Sequence, residues 1–486
     1  MASEETGRGE RAALYRGMIE VIRDRIAPGL SDASARDALE AIERLLGIQI
    51  VADEQGETLW REFGPPLSRL AGTRFRAGGG QRALDALRRD LGERARSGAE
   101  GAPELMALEW RLQRAFAAHR NRLSGSEGPA QSPAAATSRG AVQAYLRRRL
   151  ARSPQVRVVG LDELPGGRVK ASYRLALEQT DELPPVTLLR LDKPKSLLAT
   201  RTADEWPLLQ ALHRRGGVAS PEPYLLEPDP QPLGGTFIIM QWADGEKAGE
   251  IFPEVAAPRA HRRELILHLA RILARLHTMP VDQAGLPATT PETLIESVRA
   301  RTDSIYERLL DGDPLAEFEF GYRWILQHLA DGLGPICVVH GDVGLHNLLV
   351  DAGRVTALVD WELAHLGSPT EDLARMRPLV QHLTPGGWGD FVGEYQRAGG
   401  SEAAYDRRRL DFYCVVNSWS AVSASLTCRQ LYFTGVLTDF VYAHAGVDFV
   451  LRTRLMLMEA LHEAMREDGP PDGSLAATPR GAKTER

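Results

Sequence analysis

Val338-Val339-His340-Gly341-Asp342 is followed by Asn347 and then by Val359-Asp360-Trp361-Glu362. An apolar strand delivers one carboxylate into a loop, an amide follows at fixed spacing, and a second apolar strand delivers another carboxylate. Phosphoryl transfer leaves a protein little covalent chemistry to do, so a site for it is built from positioning groups and charge neutralisation. Mg²⁺ favours hard oxygen ligands, which a carboxylate and an amide supply together with triphosphate oxygens and water. A further carboxylate has to sit where an acceptor hydroxyl gives up its proton. The layout therefore assigns Asp342 to the acceptor, and Asn347 and Asp360 to the metal. Singly, each would read as an ordinary turn residue; the joint spacing argues for chemistry.

The segment resembles the catalytic loop of the aminoglycoside phosphotransferase-like small-molecule kinases, in which His-Gly-Asp-x4-Asn precedes a metal-binding Asp at the end of the next strand. Downstream, Asp360-Trp361-Glu362-Leu363-Ala364-His365-Leu366-Gly367-Ser368-Pro369 and Asp372-Leu373-Ala374 are similar to the subgroup that includes kinase domains joined to acyl-CoA dehydrogenases. The resemblance implies an α+β, bilobal protein-kinase-like fold with a small antiparallel-sheet lobe and a large helical lobe. It implies ATP or GTP as phosphoryl donor, Mg²⁺ as cofactor and a small-molecule hydroxyl as acceptor. For this subgroup the leading acceptor is a hydroxyacyl-CoA or related metabolite, with an acyl-CoA dehydrogenase as candidate partner. His340 and Asp372 then hold the loop in shape; the alternative for His340 is a general base. Glu362 either approaches the metal or serves as a structural polar partner.

A kinase needs an upstream nucleotide lobe. Leu161 to Leu177 reads as strand, turn and strand, with Pro165-Gly166-Gly167-Arg168 at the turn. Alone, Gly-Gly between strands is an ordinary hairpin, but glycines also let backbone approach phosphates closely, and the position ahead of the loop favours that role for Gly166 and Gly167. The related kinases commonly carry Gly-Gly-x-Ser-Asn-x-Thr-Tyr here. In this chain Val169 and Lys170 take the Ser and Asn places, and Lys170 offers a phosphate contact instead. Val186-Thr187-Leu188-Leu189-Arg190 reads as the next strand, ending in a cation. Kinase-fold proteins place a Lys there, paired with a Glu of the following helix; the counterparts are Arg190 and Glu205, the latter in a helix expected from Thr202 to Arg214. Phe237-Ile238-Ile239-Met240-Gln241-Trp242 resembles the strand and hinge against which adenine bonds to backbone near Gln241 and Trp242. Arg262 to His277 carries Leu265, Leu269, Ile272, Leu273 and Leu276 at helical spacing, a core face for the large lobe. His268 and His277 read as packing or surface residues.

At 486 residues and 43% hydrophobic composition, the chain has length for two or three domains. Ser124 to Gly140 is rich in Ser, Gly, Pro and Ala, a flexible linker by composition. The resulting division is a helical accessory domain over 1–123, the linker over 124–140, the kinase domain over 141–466 and a polar tail, expected to be disordered, over 467–486. The accessory domain shows three amphipathic stripes: Leu14, Met18, Val21 and Ile22; Leu39, Ile42 and Leu46; Leu105, Leu108, Leu112 and Phe116. These imply a small all-α bundle. Its Ala77-Gly78-Gly79-Gly80-Gln81 lacks the preceding strand and the Lys-Ser/Thr ending of a phosphate loop.

A net charge of −6 without a sustained basic run argues against nucleic acid. No apolar run has the length of a membrane span, and Met1-Ala2-Ser3-Glu4-Glu5 does not read as a secretory signal. Cys337, Cys414 and Cys428 show neither paired nor metal-ligand spacing, which fits reduced thiols in a cytoplasm. Oligomeric state is left open. In the region from Asp390 to Arg466, carboxylates at Glu402, Asp406, Asp411 and Asp439 are scattered among Tyr405, Phe412, Tyr413, Trp419, Tyr432, Phe433 and Phe440. The mixture suits a partly apolar acceptor, or aromatics packing C-terminal helices. Arg375, Arg377 and Arg429 are candidates to meet an anionic acceptor. Two alternatives stand beside hydroxyacyl-CoA phosphorylation: phosphorylation of an aminoglycoside or macrolide antibiotic, and a nucleotide-binding scaffold with little turnover.

Overall fold

The computed structural model describes residues 137–164, 170–193, 200–249, 262–309, 315–351, 354–384, 386–434, 436, 446 and 449–466. The expected accessory domain, most of the linker, the Gly166-Gly167 turn, Asp439, Phe440 and the tail lie outside these residues. Helix α1 (Arg139–Arg149) begins within the stretch read as linker, where Ser138 caps it by accepting the Ala141 N–H.

Strands β1 (Arg157–Glu163), β2 (Lys170–Glu178) and β3 (Val186–Asp192) lead to helix α2 (Thr202–Arg215), then β4 (Pro223–Glu227) and β5 (Phe237–Gln241). The five strands form one antiparallel sheet of order β1-β2-β3-β5-β4. Alternation along the strands gives the sheet two different faces. Tyr173, Leu175, Leu189, Leu191, Phe237 and Ile239 pack with Val142, Tyr145 and Leu146 of α1, which is why the helix adheres to this lobe. The opposite face carries Lys170, Ser172 and Arg174 on β2, with Arg190 paired in register to Ser172 and to Ile238. Ile238 and Met240 on that face join Leu208, Leu209 and Leu212 of α2 in the core of the large lobe. Asp192, ending β3, accepts from the backbone N–H and hydroxyl of Thr202, both at 3.0 Å. That cap fixes where α2 starts, and so where Glu205 lies in its first turn.

The large lobe continues with β6 (Glu246–Lys247), α3 (Arg262–His277), α4 (Pro291–Leu309), α5 (Ala316–Gln327), β7 (Cys337–Val339), β8 (Leu348–Asp351), β9 (Arg354–Leu358), β10 (His365–Gly367), α6 (Pro369–Leu383), α7 (Trp388–Arg397), α8 (Arg407–Phe433) and α9 (Val450–Ala464). The bounds of α3 are those that its apolar spacing predicts. β7 pairs with β10, and β8 with β6 and β9, so two short sheets hold the loops that follow β7 and β9. The architecture is the expected bilobal kinase-like one. Phe412, Tyr413 and Trp419 are fully buried in the large-lobe core, so the reading of these aromatics as an acceptor surface gives way to packing. Trp419 Nε1–H donates to Phe318 O at 3.0 Å, which satisfies its one polar atom inside that core. Among the described residues, no helix is long and apolar enough to cross a membrane.

Candidate active site

The loop after β7 and the turn after β9 are shaped against each other. Gly341 has φ +77°, and a Cβ there would stand 2.5 Å from the Leu363 carbonyl oxygen. Conformation and contact both demand glycine between His340 and Asp342. Asp360 is itself left-handed, with φ 69° and ψ 63°, a conformation Asp tolerates better than most residues. Buried His340 links the two segments: its Nδ1 accepts the Asp342 N–H at 3.2 Å, and its Nε2 donates to Val359 O at 3.1 Å. Both ring nitrogens are thereby engaged, and burial lowers its pKa against the pull of Asp372 and Asp342. A neutral ring held at both nitrogens positions the loop; it is not arranged as a base.

Asp372, at the start of α6 and wholly buried, receives the His340 N–H at 2.9 Å and the Gly341 N–H at 3.0 Å. His277, at the end of α3, adds a contact at 3.2 Å through Nε2, and its Nδ1 meets the Tyr395 hydroxyl at 3.0 Å. Burial alone would raise the Asp372 pKa, but the His277 hydrogen bond and charge hold it down. The helical spacing of α3 shows that His277 can pack, not that it closes a buried chain from Tyr395 to the loop.

Asp342 is held at both carboxylate oxygens. Arg375 Nη1 donates to Oδ1 at 3.1 Å; on Oδ2 lie Asn347 Nδ2 at 3.0 Å and His346 Nε2 at 3.3 Å. Burial would raise its pKa, yet the His346 hydrogen bond and the Arg375 charge bring it well below the usual carboxylate range. The group is an ionised acceptor with a set orientation. Asn347 Nδ2 also donates to the Asp342 backbone oxygen at 2.9 Å, so what the side chain has left for a cation is its amide oxygen. Asn347 and Asp360 offer the hard oxygens that Mg²⁺ favours, and phosphate and water would complete the shell of an ion held there. Asp342 and Asp360 lie near enough for the charge of the first to act on the second.

Beside Asp360 a dense charge cluster joins the lobes. Arg190 Nη2 stands 2.6 Å from Asp360 Oδ1, and its Nη1 is 3.4 Å from Glu205 Oε2. The expected Arg190–Glu205 pair therefore forms, but it is the looser contact. Lys170 Nζ is 2.6 Å from Glu205 Oε1 and 2.7 Å from Glu362 Oε2. Glu362 is the polar partner in this arrangement. Its pKa is raised by burial and by Asp360, against the pull of Lys170. Asp360 is lowered, burial being outweighed by Arg190.

Elsewhere the structure redistributes sequence-level candidates. The Gln241 N–H donates to Glu222 O at 2.8 Å, and Arg174 lies over the Trp242 ring at 5.7 Å. Arg377 pairs with Asp411 at 3.3 Å, and Arg407 also binds Asp411; neither Arg377 nor Asp411 is placed for an acceptor. Asp406 caps α8, which is a structural duty. Arg375, named only as an anion-binding candidate, is instead the partner of Asp342; the one sequence signal is its place just past Asp372-Leu373-Ala374. For His346 the one sequence signal is its spacing of four from Asp342, which does not by itself point to the contact at 3.3 Å.

The profile of the phosphotransferase enzyme family matches residues 161–413, from β1 into α8. Acyl-CoA dehydrogenase family member 11 of Rattus norvegicus is 29% identical over 202 residues, covering 39% of this chain and 24% of that protein. Aminoglycoside 3'-phosphotransferase of Escherichia coli is 27% identical over 154 residues, covering 31% of this chain and 54% of that protein. The chain thus spans about a quarter of the length of the first relative and about half of the second. A crystal structure from Ralstonia eutropha, described as an aminoglycoside phosphotransferase, aligns with a TM-score of 0.51 at 19% identity over 68% of this chain and 99% of that one. That likeness is one of fold.

Proposed function

The chain belongs to the phosphotransferase enzyme family, and from that premise we propose that it transfers the γ-phosphate of ATP or GTP to a hydroxyl of a small molecule. The observation that carries this reading is Asp342: a carboxylate oriented by Arg375, Asn347 and His346, in the loop that also carries Asn347, and near enough to Asp360 for its charge to act there. Asp342 orients the acceptor hydroxyl and takes its proton as attack proceeds. Asn347 and Asp360 would hold Mg²⁺, which would supply charge neutralisation for the triphosphate. Arg190, whose Nη2 is held by Asp360 and whose Nη1 lies 3.4 Å from Glu205, adds fixed positive charge on the side of the site where the phosphates would lie. His340 and Asp372 keep the loop in the shape that makes Asp342 available.

For the acceptor, a hydroxyacyl-CoA or related hydroxylated anion is the reading the relatives favour, since the similarity falls on proteins named as acyl-CoA dehydrogenases. An aminoglycoside acceptor has the Escherichia coli relative in its favour. Against it, Asp411 is bound by two arginines and Asp406 is a helix cap, which removes two of the carboxylates a polycation would use.

The test is to incubate the protein with Mg²⁺, γ-labelled ATP or GTP, and pools of hydroxyacyl-CoAs and aminoglycosides, following label by mass spectrometry. Label on a hydroxyacyl-CoA that disappears in Asp342→Ala is the expected result. Label on aminoglycosides alone would replace the acceptor. Nucleotide binding with no transfer to any hydroxyl compound would favour a scaffold.

A further inference from the structure

We propose that Lys170, supplied by β2, is a phosphate-binding residue of the nucleotide site, and that Glu205 holds Lys170 and Arg190 together as a paired cation. The proposal rests on the phosphotransferase reading above and assigns the contact that reading gave to Arg190 alone. Four observations carry it. Lys170 shares the sheet face of Ser172, and Ser172 is the register partner of Arg190. The two cations are thus diagonal neighbours across β2 and β3, within reach of one group. Each takes a different oxygen of Glu205, and Lys170 takes the nearer place, at 2.6 Å against 3.4 Å. Arg190 reaches past Glu205 to Asp360, which commits one of its nitrogens to the turn after β9. In the sequence, Lys170 lies three residues beyond Gly167, in the place where the related kinases carry an Asn.

Charge completes the argument. Lys170 is buried, with its side chain 1% exposed, and its second carboxylate is Glu362, two residues past Asp360. Asp360, Glu205 and Glu362 outnumber the two cations by one. A divalent cation at Asp360 turns that single excess of negative charge into a single excess of positive charge, the sign a polyphosphate requires. An ammonium is a compact point charge with three rotatable donors, so Lys170 can exchange its long contact to Thr200 Oγ1, at 3.4 Å, for a phosphate oxygen while keeping Glu205. Its flexible stem supplies that adjustment where the planar Arg190 fork cannot.

The experiment measures binding, not turnover: affinities of the wild-type protein and Lys170→Met for Mg·ATP, Mg·GTP, adenosine and guanosine by calorimetry, with thermal unfolding of each unliganded protein. A phosphate contact predicts that Lys170→Met weakens the preferred triphosphate by about tenfold or more, leaves the matching nucleoside unchanged, and is partly rescued by Lys170→Arg. Because Lys170→Met strands two carboxylates, the double variant Lys170→Met with Glu362→Gln repeats the comparison in a protein with less uncompensated charge. Equal triphosphate affinity in wild type and variant overturns the proposal, as does a parallel loss of triphosphate and nucleoside, which would mark Lys170 as a structural strut. A wild-type protein that binds neither triphosphate overturns the phosphotransferase reading itself.

Discussion

Arg375 Nη1 stands 3.1 Å from Asp342 Oδ1, so the carboxylate proposed to receive the acceptor hydroxyl is charge-paired from helix α6. Burial opposes ionisation of Asp342; the His346 hydrogen bond and the Arg375 charge more than offset it, and the pKa lies well below normal. The basic form is therefore fully present at mildly acidic pH. Replacing Arg375 by Ala removes one of the lowering influences, the pKa rises, and the acid limb of the rate profile moves to higher pH. The expected loss is on the order of tenfold at the acid end and smaller on the alkaline side. Profiles of kcat/KM against pH check this; parallel curves for the two proteins would mean that Arg375 does not set the ionisation of Asp342.

Asp360→Asn separates charge from backbone shape. Asn tolerates the left-handed conformation at this position, so the turn should persist while the carboxylate that binds Arg190 is gone. Mg²⁺-dependent nucleotide affinity should fall by at least about tenfold, and whatever binding occurs without Mg²⁺ should change little. Titrations with and without Mg²⁺ decide it, an unchanged Mg²⁺ dependence removing Asp360 from the metal site.

Gly341→Ala should be costly in two ways, because φ is +77° and the new Cβ would meet the Leu363 oxygen at 2.5 Å. Conformational strain alone is worth about 1–3 kcal/mol. Relief by moving the loop would also displace Asp342, so activity should drop further than stability. Urea unfolding alongside steady-state kinetics would show whether the two losses part in that order.

Asp372→Ala leaves the backbone N–H groups of His340 and Gly341 and the Nε2 of His277 without their shared acceptor. Breaking a buried charged network of this kind costs roughly 3–5 kcal/mol. The sign of the pH dependence follows from the lowered pKa of Asp372. Its stabilising contribution is complete above the unfolded-state value and fades as pH falls toward the folded-state value. The stability gap between wild type and variant should therefore narrow in acid. Denaturant unfolding at several pH values tests it; a gap that widened on acidification would contradict the assignment.

Local spacing made much of this molecule readable. Strand-end carboxylates, the glycine between His340 and Asp342, and the amide at Asn347 depend on backbone geometry over a few residues, and such patterns survive in a linear chain. The apolar period of α3 and the alternation of β2 and β3 do so for the same reason. What stayed hidden were partnerships between distant segments. His277 and Tyr395 close on Asp372 across three helices, and Arg375 and His346 turn out to share Asp342. The aromatics of α8 illustrate the limit from the other side: Phe412, Tyr413 and Trp419 have side chains that fit either an acceptor pocket or a core, and only their burial decides between them.

By itself the sequence determined the segments that carry the candidate chemistry, because they are written in short-range pattern, and their resemblance to a known kinase family implied the bilobal fold. Which cation meets which carboxylate was decided by tertiary structure alone. Lys170, Arg190, Glu205, Asp360 and Glu362 come from two strands, a helix and a turn. Their charges interact only because sheet register and the docking of α2 bring them within hydrogen-bond reach, where burial makes each contact count.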